Sequence, residues 1–299
     1  MPGLVAALTA LAPATAGAGA ADYGDLNLVY IGTTTNWSDP PGRTTQSSYN
    51  QCGEPSQPGL LVGSGGYLFT AGDTDVVSDF PLGKGYNASI HPVHQIGAPE
   101  PDSTQQVADN LFTVDNDLTL GENAVCGGVG EASYPQADKA SPKRKRTRAR
   151  VSCQSGTRVL GGGGSAPGPF RSQRLVSSAP FDSGDAGKSP DDGWRIAVDN
   201  LGKKNREITV YAICSPVESV SYVSKAFEAK KRSRRHSEVD CPAGEFVMGG
   251  GVTHSAAFGK GTLVASRYGH FPDFDSWITE VDNLSRKRTA GKAFAICHS

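Results

Sequence analysis

Two stretches of this 299-residue chain repeat each other at identical spacing. Cys153 is followed by Gly156 and then by Val159-Leu160-Gly161-Gly162-Gly163. Cys241 is followed by Gly244 and then by Val247-Met248-Gly249-Gly250-Gly251. Further on, Gly193-Trp194-Arg195-Ile196-Ala197-Val198-Asp199-Asn200 matches Ser276-Trp277-Ile278-Thr279-Glu280-Val281-Asp282-Asn283. Tyr211-Ala212-Ile213-Cys214 matches Phe294-Ala295-Ile296-Cys297, and the interval from Val198 to Cys214, 16 residues, equals that from Val281 to Cys297. Self-similarity at a fixed period is the signature of repeated structural units, and it has to be read before any local pattern.

A divergent copy precedes these two. Cys52 leads to Gly59-Leu60-Leu61-Val62-Gly63-Ser64-Gly65-Gly66, four residues later than in the other copies, and Val114-Asp115-Asn116 leads to Cys126 over 12 residues. On this alignment Asn110 stands where the tryptophan should be. The first copy therefore reads as one with a longer first loop, a shorter hairpin and no tryptophan. The chain divides into a leader-like segment over 1–21, an acidic repeat over 22–138, and basic repeats over 139–217 and 218–299.

The local pattern is that of β-structure. Trp194, Ile196 and Val198 share one face of an extended segment and Arg195 and Asp199 the other, a period of two. Ile208, Val210, Ala212 and Cys214 form one face of the next. The polar stretch Leu201 to Glu207 between them predicts a β-hairpin, and Leu284 to Gly291 plays the same part in the third copy. Glycines inside a strand pattern mark a bulge or a close backbone approach, and the triplet is expected to lie under the tryptophan ring, where any Cβ would collide. A phosphate-binding loop is a poor reading, because no G-K-[ST] and no helix pattern follow. The expected fold is all-β: three tandem antiparallel β-sandwich-like modules with one disulfide each, or a single pseudo-three-fold, β-prism-like assembly.

Each copy owns two cysteines, one before the glycines and one closing the last strand. Six cysteines allow 15 pairings; the repeat favours Cys52–Cys126, Cys153–Cys214 and Cys241–Cys297. A bridge in each unit of about 80 residues contributes on the order of 2–4 kcal/mol where the compartment is oxidising. Zinc is a poor alternative, since there is no C-x-x-C and the six histidines do not track the cysteines.

The sequence Cys241-Pro242-Ala243-Gly244-x-x-Val247-x-Gly249-Gly250-Gly251, with Trp277, Asn283 and Phe294-Ala295-Ile296-Cys297, resembles a repeat of secreted bacterial proteins, notably of actinobacteria. That repeat reads C-P-x-G-x-x-V-x-G-G-G, then W-x-V-x-V-x-N, then V-Y-A-x-C. The resemblance covers residues 139–299 well and 22–138 loosely. It implies export and a β fold and carries no assigned activity. Residues 1–21 fit export: they hold no charge, with an apolar run from Leu4 to Ala14 and small-residue pairs Ala16/Ala18 and Ala18/Ala20, although the positive n-region of a secretory signal is missing. The rest of the chain has no run of 18 apolar residues, so no helical membrane span is expected.

A formal charge of −1 hides a division of the chain. Residues 22–138 hold 15 Asp/Glu against Arg43 and Lys84, a net of −13, whereas 139–299 hold 27 Lys/Arg against 15 Asp/Glu, a net of +12. Such asymmetry suggests an oppositely charged partner, self-association, or docking of one half on the other. The basic residues recur at equivalent places. Lys143, Arg144, Lys145, Arg146, Arg148 and Arg150 precede Cys153, and Lys230, Lys231, Arg232, Arg234 and Arg235 precede Cys241. Lys203, Lys204 and Arg206 occupy the later turn of the second copy, and Arg286, Lys287 and Arg288 that of the third. These residues are candidates for holding an anionic cell-wall or extracellular polymer. No aromatic cluster accompanies them, so sequence-specific nucleic-acid reading is not expected.

Catalytic patterns are sparse. Gly63-Ser64-Gly65 and Gly164-Ser165 lack the G-x-S-x-G turn of a serine nucleophile. His91-Pro92-Val93-His94 lacks the glutamate of H-E-x-x-H and is expected in a loop. Asp115-Asn116-Asp117 lacks the glycine of a calcium loop, and Asp73, Asp75 and Asp79 read as a solvated acidic stretch. The expectation is a non-catalytic secreted or envelope-associated binding or structural protein without metal or cofactor. The alternative is a secreted hydrolase with its site in the divergent first copy, between Thr70 and Asn110.

Overall fold

The computed structural model describes residues 19–20, 29–37, 45–52, 60–70, 91–94, 101–109, 118–127, 131–166, 172–184, 187–269 and 273–299. The short strand β1 (Gly19–Ala20) precedes six strands of the first copy: β2 (Val29–Trp37), β3 (Thr45–Gln51), β4 (Leu60–Thr70), β5 (His91–His94), β6 (Pro101–Asp109) and β7 (Leu118–Gly127). The second copy supplies β8 (Gln136–Ser141), β9 (Lys145–Ser152), β10 (Arg158–Ser165), β11 (Gln173–Phe181), β12 (Gly193–Asn200) and β13 (Arg206–Ser215). The third supplies β14 (Val220–Ala229), β15 (Ser233–Asp240), β16 (Phe246–His254), β17 (Gly261–Tyr268), β18 (Ser276–Asn283) and β19 (Thr289–His298). The described residues contain no helix. The fold is all-β, and the disulfides are Cys52–Cys126, Cys153–Cys214 and Cys241–Cys297, each with its Cα atoms 5.7 or 5.8 Å apart.

One pairing rule serves all three copies. The first, sixth and third strands form one antiparallel sheet (β2-β7-β4, β8-β13-β10, β14-β19-β16), and the second, fifth and fourth form another (β3-β6-β5, β9-β12-β11, β15-β18-β17). The expected hairpin between the tryptophan strand and the last strand therefore does not form, because β12 and β13 belong to different sheets. Each has one apolar face, and two such faces bury more by meeting across a core than by lying edge to edge. Trp194, Ile196 and Val198 from β12 and Ile208, Val210 and Ala212 from β13 are all buried there. The consecutive strands that do pair as neighbours are the fourth and fifth of each copy. His91 and His94 lie on such a strand, β5, rather than in a loop.

Each glycine of the triplet has its own reason. A Cβ on the middle glycine, Gly162 or Gly250, would overlap the indole of Trp194 or Trp277, as the sequence suggests. A Cβ on the first glycine would strike a different copy: Gly161 meets Val62 and Gly63, Gly63 meets Met248 and Gly249, and Gly249 meets Leu160 and Gly161. These three glycines form a closed ring in which every copy touches the other two. A Cβ on Gly65 or Gly251 would strike the backbone of a fourth strand in another copy, at Ser266 or Ser178. That contact is also where the sheets continue across copies, with Ser178 of β11 opposite Val252 of β16, and Ser266 of β17 opposite Gly66 of β4. Tyrosines reinforce the joins. Tyr134 donates to the Leu61 carbonyl at 3.1 Å, and Tyr222 donates to the Val159 carbonyl at 2.8 Å. Tyr30, opposite Val125, holds the same register position in the first copy as Tyr222, opposite Ile296.

Register corrects the alignment of the first copy. The bulge lies between Leu61 and Gly63, as between Val159 and Gly161 or Val247 and Gly249, so the glycines are displaced by three residues rather than four. Asn50 lies opposite Thr104 as Val151 lies opposite Trp194 and Val239 opposite Trp277, so Thr104, not Asn110, takes the tryptophan position. The repeat's aspartate is Asp109, the last residue of β6, and Asn110 follows it outside the described residues. From this aspartate to the last strand the first copy runs 109 to 118, against 199 to 206 and 282 to 289, so its connection is longer rather than shorter. The first copy also has Ser64 where the others have the middle glycine. The large ring and the missing side chain beneath it are therefore absent together.

Candidate functional site

The Asp-Asn pair that ends the fifth strand organises the basic surface. Asp199 accepts two hydrogen bonds from Arg146, at 2.6 and 2.8 Å, and Asp282 accepts two from Arg234, at 2.8 and 3.0 Å. Both aspartates are fully buried. Bidentate pairing satisfies these carboxylates in place, so Arg146 and Arg234 are neutralised framework groups rather than free polymer contacts. Arg146 also donates to the carbonyls of Ala256 and Ala257, and Asp199 accepts from the Gly259 amide at 2.7 Å, which fastens the second copy to a loop of the third.

The asparagine ties two turns together. Asn200 donates to the carbonyls of Ser141 and Lys204 and accepts from the Gly202 amide. Asn283 donates to the carbonyls of Ala229, Lys230 and Lys287 and accepts from the Ser285 amide. Basic runs that lie some sixty residues apart in sequence are thereby placed side by side. Lys143, Arg144 and Lys145 stand beside Lys203 and Lys204, with the Lys143 amide bonded to Asn205 at 3.0 Å. Lys230, Lys231 and Arg232 stand beside Arg286, Lys287 and Arg288, with the Arg232 amide bonded to the Ser285 carbonyl at 3.0 Å. Arg144 and Arg232 hold the same turn position with φ of 59° and 50°. All these cations are exposed. Arg288 bonds to exposed Glu228 at 2.7 Å, a pair of little energetic weight. Arg206 is half-buried, and Arg235 is exposed on β15.

Arg148 and Arg150 do something else. Strand β9 buries Thr147 and Ala149 and turns Arg148 and Arg150 outward. Arg195 lies directly opposite Arg150 on β12. These guanidinium groups and Lys139 line a cleft of about 710 Å³, whose far wall is Thr253, His254 and Ser255 of the third copy. The Arg150 guanidinium sits 5.7 Å from the centre of the Phe181 ring. Partial burial pulls the Arg195 guanidinium below the usual arginine value. A neighbouring cavity of about 400 Å³ shares Phe181, Arg195 and Thr253 and adds Lys188 and Lys292. His254 is buried and its Nε2 lies 2.8 Å from the Thr289 hydroxyl. Burial, then the charge of Arg146, pushes its pKa down to about 4, so it is neutral near pH 7.

The sequence runs thus separate into three groups: turn cations gathered by the asparagines, framework arginines paired with aspartates, and cleft arginines. Arg195 and His254 were not among the sequence candidates. Arg195 could have been found from the outward position in its strand. His254 comes from a different copy, and only the fold brings it near. Among the described residues no three His, Cys, Asp or Glu side chains gather as a metal site would require. Most of the segment between Thr70 and Asn110, Asp73, Asp75 and Asp79 included, lies outside the described residues, as do Asp115-Asn116-Asp117 and nearly all of 1–21. No helix among the described residues is long and apolar enough to cross a membrane. No protein-family model matches the chain, and no curated protein matches it.

Proposed function

We propose that this chain is an exported, non-catalytic binding protein whose second and third copies hold anionic polymers through their paired basic turns. The observation that carries the reading is the asparagine clamp, which in both copies gathers two separate basic runs into one exposed patch. Two such patches at equivalent positions suit a ligand that repeats its charge, because linked weak contacts add through effective concentration. The three disulfides point to an oxidising compartment, and with the resemblance to exported bacterial repeats they support action outside the cell. The test is retention on a sulfated dextran and on a polyphosphate across a salt series. Wild type is compared with a variant carrying Lys203→Ala, Lys204→Ala, Arg286→Ala and Lys287→Ala. Retention should fall steeply with salt, as polyanion binding by displaced counterions does, and the variant should elute much earlier. Salt-insensitive retention, or a variant that behaves as wild type, would overturn the reading.

A further inference from the structure

We infer that the cleft between the second and third copies is a discrete binding site for an oxyanion carried on a small hydroxylated body, the size of one or two sugar rings. It stands independently of the basic turns, which share none of its lining cations.

One wall of the cleft carries an uncompensated charge. Like charges directly opposite on paired strands are unfavourable, yet Arg150 faces Arg195 across β9 and β12. Arg148, next on the same face, lies opposite Ala197. None of these three guanidinium groups forms an ion pair among the described residues. The third copy treats the same positions differently. There His236 lies opposite Glu280, with 3.3 Å between Nδ1 and Oε1, Glu238 takes the place of Arg150, and Ile278 takes the place of Arg195. In the first copy the two strand positions hold Ser47 and Tyr49. The repeat framework therefore does not require cations on this face. Arginine stands at these three positions in the second copy alone, and there it sits where that copy meets the third.

The cleft has the form of a ligand site. Its volume of about 710 Å³ falls within the span of roughly 300–1,000 Å³ usual for small-molecule pockets. One wall carries the forked donors that suit carboxylate, sulfate or phosphate. The other carries Thr253 and Ser255: the Ser255 hydroxyl accepts from the Ala290 amide at 2.9 Å and keeps its own proton to donate, and the Thr253 hydroxyl, 3.4 Å from the Lys292 carbonyl, keeps its lone pairs to accept, which together suit a polyhydroxylated body. Asp182 is the single carboxylate in the lining. An oxyanion between Arg150 and Arg195 would relieve their repulsion, so binding gains from a strain already present in the free protein.

Isothermal titration of the full chain tests this with four probes: a uronic-acid disaccharide, its sulfated form, a sugar phosphate and a neutral disaccharide. At least one charged probe should bind one to one and at least tenfold tighter than the neutral one, and comparison of the three charged probes identifies the anion. Arg148→Gln with Arg195→Gln should weaken that binding at least tenfold, with an unchanged or higher melting temperature, since both side chains are exposed. The Lys203→Ala, Lys204→Ala, Arg286→Ala, Lys287→Ala variant should bind the probe as wild type does. The site is overturned if no charged probe saturates by roughly 10 mM, if the neutral probe binds equally well, or if the turn variant rather than the cleft variant loses the probe. Loss of polymer retention with the probe still bound would sink only the reading of the turns.

Discussion

The second and third copies share a backbone plan, a buried tryptophan, an Arg–Asp clamp and an asparagine that pins the turns, but they differ on one face. In the third copy the second strand and its neighbour carry polar groups that bond within the sheet, His236 with Glu280 at 3.3 Å, and Glu238 accepting from Ser276 at 2.6 Å. In the second copy the same face carries Arg148, Arg150 and Arg195 with no opposite charge across the strands. The backbone plan, the tryptophan and the Arg–Asp clamp that both copies share are explained by folding. The arginines of this face are not part of that shared framework, and they lie on the wall of a cleft.

The largest test of this division removes a clamp. Asp282→Ala leaves Arg234, whose side chain is 5% exposed, without its bidentate partner, and breaking a buried pair from one side costs about 3–5 kcal/mol. Asp199→Ala should cost a similar amount and also loosen the loop that its carboxylate holds at Gly259. Chemical denaturation measures both, and if either is nearly neutral the aspartate is not a framework residue.

A second test rewrites the third copy as the first. Trp277→Thr should cost about 3–5 kcal/mol, and Gly250→Ser alone should also be strongly destabilising because its Cβ meets the indole. The double variant reproduces the Ser64 and Thr104 combination. It should cost less than the sum of the two, by about 0.5–3 kcal/mol. Strict additivity would show that the ring and the glycine are not one device.

Acid provides a third. The folded His254 pKa is depressed from 6.5 to about 4, by burial first and Arg146 second. The unfolded chain therefore takes up the proton more readily. This contribution is complete above pH 6.5 and lost as pH falls from there through about 4, on the order of 3 kcal/mol. His254→Ala, which installs the residue found at the matching second-copy position, Ala166, should flatten the melting temperature over that window. An unchanged pH slope would mean that other groups govern acid sensitivity.

The smallest effect on stability is the most selective. Ala197→Glu places the third copy's acid opposite Arg148; because Ala197 is only 7% exposed, desolvation of the carboxylate offsets the new pair and stability should change by no more than about 1 kcal/mol. The same change should abolish anion binding in the cleft and leave polymer retention by the turns unaltered.

Spacing alone made much of this legible. Equal offsets identify the copies, the cysteine pairing follows from them, and of the triplet expected under the tryptophan the middle glycine lies there. The strand pairing is not legible in the sequence, because period-two alternation says which residues share a face and not which strand lies alongside. The divergent copy cannot be aligned on sequence alone, because Val114-Asp115-Asn116 matches the motif as well as Asp109-Asn110 does, and only strand register separates them. The basic runs were visible as charge, but a row of arginines looks the same whether a neighbour is paired with a buried aspartate, as Arg146 is, or faces a cleft, as Arg148 does. That distinction depends on residues fifty or more positions away.

The ring of glycines and the strand joins that accompany it mean that this chain has no expendable end. Removing the first copy would strip β17 of its neighbour β4 and leave Gly161 and Gly249 facing a void on one side, exposing a bare sheet edge of the kind that invites self-pairing and aggregation. Fragments that stop at a repeat boundary should therefore precipitate or swap strands rather than behave as small independent proteins. A circularly permuted chain that keeps all three copies but begins at a different one should retain the same joins.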